Sequence, residues 1–228
     1  MKRAVIIVAG GKGLRMGMST PKQFLDLDGM PILCRTVNQF RSFDPEIEVI
    51  LVLPQGLGEF WRKLSQPFLR PDSYRYVYGG AERFHSVKNA VDTLGPEVDI
   101  VGVHDGVRPL VSVSCIAQCY TQAALKGNAV PCINPPESIR TVAADGSSKI
   151  IDRNTVKLIQ TPQVFHADVL RKAYQQPYTQ MFTDDASVVE QYGETINLIE
   201  GEKNNIKITT FDDINFAQFV ISRTKNAK

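Results

Sequence analysis

Residues 4–22 constrain the fold of this chain more than any other stretch. Ala4-Val5-Ile6-Ile7-Val8-Ala9 is a short, uninterrupted apolar run rich in β-branched side chains. That length and branching predict a strand buried on both faces. Gly10-Gly11-Lys12-Gly13-Leu14-Arg15-Met16-Gly17 follows at once, and Pro21-Lys22 closes the segment. Glycine lets the backbone turn sharply and brings its N–H groups close to a ligand. Lys12, Arg15 and Lys22 add positive charge to the same loop. A buried strand feeding a glycine-rich, cationic loop is how α/β proteins hold phosphate groups.

Two familiar phosphate loops do not fit. A Walker loop ends in Gly-Lys-Ser/Thr, whereas Gly17 precedes Met18. A dinucleotide fingerprint needs a glycine three residues after Gly13, where Met16 stands. What remains is Ala9-Gly10-Gly11-x-Gly13-x-Arg15-Met16, then five residues, then Lys22. This pattern resembles the signature of nucleotidyltransferases that activate sugar and polyol phosphates. A plain surface turn would not need glycine at positions 10, 11 and 13.

The rest of the composition is that of an ordinary globular chain. Its 228 residues are enough for one α/β domain, and 43% are hydrophobic and 22% charged. A net charge of +2 does not suggest a surface that coats nucleic acid. No apolar stretch approaches the roughly 20 residues of a membrane span, and no signal-peptide pattern precedes the first strand. Cys34, Cys115, Cys119 and Cys132 form no C-x-x-C pair, and the chain has only three histidines, which argues against zinc. Reduced thiols in a cytoplasmic protein are the expectation.

Along the chain, strands alternate with helices. Strands are predicted over 3–9, 48–53, 74–78 and 100–103. Helices are predicted over 31–43, 57–69 and 82–94. This alternation predicts a largely parallel sheet. Ligands in such sheets bind at the carboxyl ends of strands. Besides the first loop, two further strand ends carry suitable chemistry. Gly79-Gly80-Ala81-Glu82-Arg83-Phe84-His85-Ser86 is a second glycine turn leading into a helix. His104-Asp105-Gly106-Val107-Arg108-Pro109 places a carboxylate where a buried strand emerges, a position suited to Mg²⁺ held with substrate phosphates.

The pattern changes after a strand over 129–133. Segments 138–142 and 149–151, joined by Ala144-Asp145-Gly146-Ser147, predict a hairpin. A two-stranded arm has little stability alone and should pack on something, such as another subunit. Asp184 and Asp185 read as helix-start residues of a helix through about Tyr192. Strands are predicted over 195–200 and 204–209, and a final helix over 212–223.

Seven motifs in this order resemble the family of 2-C-methyl-D-erythritol 4-phosphate cytidylyltransferases. They are the Ala9–Lys22 loop, Gly79-Gly80-x-x-Arg83-x-x-Ser86-Val87, His104-Asp105-x-x-Arg108-Pro109, Asp152-Arg153-Asn154, Gln160-Thr161-Pro162-Gln163, Thr183-Asp184-x-Ala186-Ser187, and Asn205-Ile206-Lys207-Ile208-Thr209. The resemblance covers nearly the whole chain. It implies a Rossmann-like nucleotidyltransferase fold in one domain, 1–228, with an arm over about 134–155. It also implies a reaction of CTP with a polyol phosphate, with Mg²⁺, giving 4-diphosphocytidyl-2-C-methyl-D-erythritol and pyrophosphate.

By that resemblance, Ala9, Gly10, Gly11 and Gly13 hold the nucleotide, and Arg15 and Lys22 grip its triphosphate. Gly80, Ala81 and Ser86 belong to the cytosine-recognising segment. Asp105 and Arg108 serve the ribose and metal region, with Asp105 as the metal ligand, and Lys207 reaches the α-phosphate. Ser138, Arg153 and Thr161 bind the acceptor. The arm is implied to swap across a homodimer, so that Arg153 acts in the partner's site.

The chemistry suits these residues. The nucleophile is a phosphate-monoester oxygen, mostly dianionic at neutral pH because its second pKa is about 6. No general base is needed, and His85, His104 and His166 need no catalytic role. Cations, N–H donors and a metal have to bring two polyanions together instead. The sequence departs from the family pattern at Val8, Ala81 and Ser138. Asn204 stands where an Asp is common, so the role of Asn204 or Asn205 at the metal stays open. Ribitol-5-phosphate cytidylyltransferases share the fold and the CTP loops, but the Arg15–Lys22 spacing and the 152–154 and 183–187 motifs differ. A non-catalytic nucleotide-binding protein should have lost a key cation or Asp105.

Overall fold

A computed structural model describes residues 1–11 and 20–226 of the chain. Gly13 and Arg15 of the first loop therefore lie outside the described residues. The elements run β1 (Lys2–Val8), β2 (Asp26–Leu27), β3 (Met30–Pro31), α1 (Ile32–Phe43), β4 (Glu48–Leu53), α2 (Gly58–Ser65), β5 (Arg75–Tyr78), α3 (Arg83–Val91) and β6 (Val98–Asp105). They continue with α4 (Val113–Lys126), β7 (Asn128–Ile133), β8 (Ile139–Val142), β9 (Ser148–Ile151), β10 (Leu158–Ile159), β11 (Gln163–His166), α5 (Ala167–Ala173), α6 (Asp185–Gln191), β12 (Leu198–Glu200) and α7 (Phe211–Asn226).

The central sheet has the order β10-β7-β11-β6-β1-β4-β5, with β12 added beside β7. β1 pairs in parallel with both β4 and β6, and β4 in parallel with β5. β11 runs antiparallel between β6 and β7, which makes the sheet mixed but mostly parallel. Strand order turns back at β1: the chain moves outward to β4 and β5, then returns to β6 on the other side. The carboxyl ends of β1 and β6 thus flank a topological switch point, where open α/β sheets bind ligands.

Apolar runs explain why β1 and β4 lie inside. Ala4 to Ile7 and Val49 to Leu53 are buried because helices cover both faces. One layer, built on Val5, Ile7, Leu51, Val37, Phe40 and Trp61, packs under α1, α2 and α4. The other, built on Ile6, Val52, Val101, Phe84, Leu170 and Val189, packs under α3, α5 and α6. Trp61 is fully buried and serves as packing. All four cysteines are buried and unpaired. Among the described residues, no helix is long and apolar enough to cross a membrane.

Three expectations change. The strand predicted over 195–200 shortens to β12, Leu198–Glu200. Residues 204–209 form no strand. Only the Ile208 N–H bonds back to the sheet side, at the Val107 carbonyl (2.9 Å), and the Ile206 N–H closes a tight turn on Asn204. The alternation of Ile206 and Ile208 is real, but Ile208 packs with Leu27, Ile32 and Ala217 in a third cluster rather than on the sheet. The helix predicted over 57–69 ends at Ser65, and a turn closed by the Phe68 and Leu69 N–H groups on the Ser65 carbonyl follows it.

The predicted hairpin is present as a separate two-stranded sheet of β8 and β9. Its side chains are left uncovered within the chain, with Val142 72% and Ile150 73% exposed. Nearby, β10 leaves Leu158 and Ile159 partly open at the sheet edge.

Candidate active site

Strand register builds the site. Val8 at the end of β1 lies beside Asp105 at the end of β6, and Ile7 beside His104. The Gly106 N–H donates to the Val8 carbonyl (2.9 Å), and the Ala9 N–H to the Val52 carbonyl (2.9 Å). The first glycine loop therefore starts next to the carboxylate. The second glycine turn meets it there: a Cβ on Gly10 would stand 3.5 Å from the Gly79 Cα. A Cβ on Gly80 would lie 2.5 Å from the His85 Cβ, which only glycine avoids. The Gly80 N–H is fixed by the Ser86 Oγ at 3.0 Å.

A cleft of about 630 Å³ results, lined by Ala9, Gly10, Gly11, Lys22, Gly80, Ala81, Ser86, Asp105 and Lys207. Nine of the residues selected from sequence thus share one cavity. Among the described residues, no partner occupies the N–H groups of Gly10 or Gly11. Gln23, which sequence reasoning passed over, holds this loop from behind. Its buried amide donates to the carbonyls of Ala9 (2.6 Å) and Gly11 (3.1 Å). Those two carbonyls are thereby satisfied within the fold.

Asp105 sits under three cations. Its Oδ2 receives the Arg108 Nε (3.2 Å) and the Lys207 Nζ (3.1 Å), and the Arg83 Nε stands 4.0 Å from Oδ1. Burial alone would raise the Asp105 pKa, but the charges of Arg83, Lys207 and Arg108 outweigh it and hold the carboxyl well below its ordinary range. Arg108 is turned inward, to Asp105 and to the Asn205 carbonyl (2.8 Å), and braces the site rather than lining the cleft. Lys207 is the more open of the two, 44% exposed.

Thr161, tied by resemblance to the acceptor, lies behind Asp105. Its hydroxyl accepts the Asp105 N–H (3.1 Å) and meets the His104 Nδ1 at 3.0 Å. The His104 Nε2 faces the Arg108 carbonyl (3.1 Å) and so carries the proton. Nδ1 is then the acceptor, and the Thr161 hydroxyl donates to it. Burial pushes His104 down to about 4, against the opposing pull of the Arg108 carbonyl and Asp105, so the ring is neutral. Replacing Thr161 with Val would orphan the Asp105 N–H and the His104 Nδ1. Thr161→Val should cost about 2 kcal/mol in chemical denaturation, whereas Thr161→Ser should cost much less.

Arg153 and Ser138 are elsewhere. Arg153 lines a different cleft, of about 680 Å³, with Asn134, Pro136, Lys157 and Lys203. Ser138 stands exposed just before β8. Among the described residues neither candidate asparagine hydrogen-bonds to Asp105, and the buried Asn205 Oδ1 has no hydrogen-bond partner. Asn204 lines a third cavity, and Asn205 is buried with its amide on the Thr161 carbonyl (2.8 Å). Asp184 caps α6, with its carboxylate on the Ser187 N–H (2.9 Å) in a reciprocal capping box. Asp185 does more than start a helix: it is fully buried and grips Arg83.

A mostly parallel sheet covered by helices on both faces, with two glycine turns at its switch point, is a Rossmann-like nucleotidyltransferase fold. The family model of 2-C-methyl-D-erythritol 4-phosphate cytidylyltransferase (IspD) matches residues 3–223. The proteins of that name from Bacteroides fragilis and Phocaeicola vulgatus are 47% and 48% identical, each over 97% of this chain and 100% of theirs. The crystal structure of 4-diphosphocytidyl-2C-methyl-D-erythritol synthase from Anaerococcus prevotii superposes with a TM-score of 0.83 at 27% identity, over 97% of this chain and 96% of that one. The chain belongs to the 2-C-methyl-D-erythritol 4-phosphate cytidylyltransferase family. It is a cytidylyltransferase of the non-mevalonate isoprenoid pathway, whose members make 4-diphosphocytidyl-2-C-methyl-D-erythritol from CTP and 2-C-methyl-D-erythritol 4-phosphate.

Proposed function

We propose that the 630 Å³ cleft performs this transfer with the residues that line it. The observation that carries the reading is the Val8–Asp105 register, which sets open backbone N–H groups beside an ionised carboxylate and Lys207. The N–H groups of Gly10 and Gly11, with Lys22 and Arg15, take the triphosphate. Gly80, Ala81 and Ser86 face the cytosine, and Lys207 faces the α-phosphate. The acceptor's phosphate oxygen attacks the α-phosphorus, the bond to the bridging oxygen breaks, and pyrophosphate leaves. No proton has to be removed from a dianionic nucleophile, in keeping with the neutral, enclosed His104.

Mg²⁺ fits this site through Asp105. Its Oδ1 has no hydrogen-bond donor among the described residues, whereas Oδ2 is taken by Arg108 and Lys207. One carboxylate oxygen with substrate phosphates and water is a usual Mg²⁺ environment. When bound, the ion neutralises phosphate charge.

The working unit is a homodimer in the cytoplasm, each chain one domain with an arm over about 134–155. Supporting this, the arm is uncovered in the single chain, and Arg153 lines a cleft that shares no residue with the nucleotide cleft. Pyrophosphate release with CTP and Mg²⁺ tests the reading. It should be fast with 2-C-methyl-D-erythritol 4-phosphate and at background with D-ribitol 5-phosphate. Preference for ribitol phosphate would overturn the acceptor and leave the nucleotide chemistry standing.

A further inference from the structure

The mechanism leaves one buried charge unexplained. Asp185, at the start of α6, is fully buried yet belongs to no cleft described above. A buried carboxylate is costly unless paired. Asp185 is paired with Arg83, the first residue of α3 and the one after the second glycine turn. The Arg83 Nη1 and Nη2 reach the two carboxylate oxygens at 3.0 and 2.6 Å, and the Tyr174 hydroxyl donates to Oδ1 at 2.6 Å. Gln163 pins the same helical turn to β11, donating to Asp184 (2.8 Å) and accepting the Ala186 N–H (2.7 Å). Asp185 therefore cannot follow Arg83 if the arginine moves.

The third nitrogen of that guanidinium, Nε, faces Asp105. At 4.0 Å from Oδ1 it is within ion-pair range but beyond hydrogen-bond reach. Arg83 is thus shared unequally between two carboxylates, and the two-pronged grip of Asp185 wins. Were Arg83 to close on Asp105, its charge would occupy the one oxygen that Arg108 and Lys207 leave open.

We infer that Asp185 is a positioning residue for the metal: by holding the Arg83 guanidinium it keeps Oδ1 of Asp105 open to a divalent cation. This rests on the reading above that Asp105 meets that cation. Without the Asp185 charge, Arg83 turns to the nearest remaining carboxylate, and a third cation then competes with the metal there. The helix-start role of Asp185 would not produce that competition.

Mn²⁺ binding to the complex with CTP, without acceptor and so without turnover, reads this directly by electron paramagnetic resonance titration. Asp105→Ala should weaken Mn²⁺ binding; if it does not, the reading of Asp105 is overturned and the inference with it. Asp185→Asn should weaken Mn²⁺ by about tenfold, because a freed cation now contacts the ligand oxygen. Arg83→Gln/Asp185→Asn removes both charges and should bring Mn²⁺ affinity back to within about twofold of wild type. This double variant also leaves no unpaired buried charge, so it keeps the test alive if Asp185→Asn folds poorly. An Asp185→Asn chain that binds Mn²⁺ normally, or a double variant no better than the single one while Asp105→Ala is impaired, would overturn the inference and reduce Asp185 to a packing role.

Discussion

An equimolar mixture of Arg153→Ala and Lys207→Ala chains, allowed to exchange subunits, should recover about one quarter of wild-type turnover, although each variant alone is nearly inactive. On the proposed reading each cation stabilises charge that develops on the phosphates, and losing one such donor costs about 3–4 kcal/mol of barrier, or roughly 10²–10³ in kcat. Lys207 contacts Asp105 in the proposed nucleotide cleft, while Arg153 lines the cleft beside the arm. If the arm crosses to a partner, a mixed dimer has one site with both cations and one with neither. Half of the dimers are mixed, and half of their sites are intact, which gives about one quarter by random pairing. Exchange followed by an unchanged, near-zero rate would show that Arg153 does not serve a partner's cleft. The single variants should also differ in kind. Arg153→Ala should bind CTP normally, because Arg153 lines a cleft that shares no described residue with the proposed nucleotide cleft.

The elements easiest to read in the sequence are those whose cause is local. β1 and β4 are apolar runs buried on both faces, and α1 starts directly behind Pro31, as that proline's missing N–H allows. That the two glycine turns and Asp105 come together in one cleft was legible for the same reason, since they sit at strand ends that periodicity locates. What escaped depends on contacts distant in sequence. α4 spans 113–126, and two of the residues on its buried face, Cys115 and Cys119, carry no strong apolar signal of their own. β11 is an antiparallel strand inserted between β6 and β7, a placement that no local pattern encodes. Thr161 carries a motif, yet its hydroxyl is committed to His104 and the Asp105 N–H, 57 and 56 positions away. Asp185 looked like a helix-start residue because Asp184 beside it is one, while its true partner, Arg83, lies 102 positions back. Gln23 followed the prominent Lys22 and had no pattern of its own, although it fixes the carbonyls of the first loop.

Replacing Asp105 with Asn should lower kcat by roughly 10²–10³ and stability by only about 1–3 kcal/mol, a split that separates chemistry from packing. The side chain keeps its size and one acceptor oxygen but loses the charge that Arg83, Arg108 and Lys207 hold in the ionised state. Arg108 retains the Asn205 carbonyl, and Lys207, 44% exposed, can turn to water, which limits the cost to the fold. The neutral amide, however, gives a divalent cation a much weaker oxygen and puts an N–H₂ group on one side. Freed of their counter-ion, Lys207 and Arg83 should attract the nucleotide at least as strongly as before. Asp105→Asn should therefore bind CTP without metal no more weakly than wild type while failing in turnover. Titration of CTP by calorimetry, set beside steady-state pyrophosphate release, measures both halves. Near-normal kcat with a lowered melting temperature would make Asp105 a counter-ion for Arg108 and Lys207 and nothing more. The metal would then have to be held by the phosphates alone.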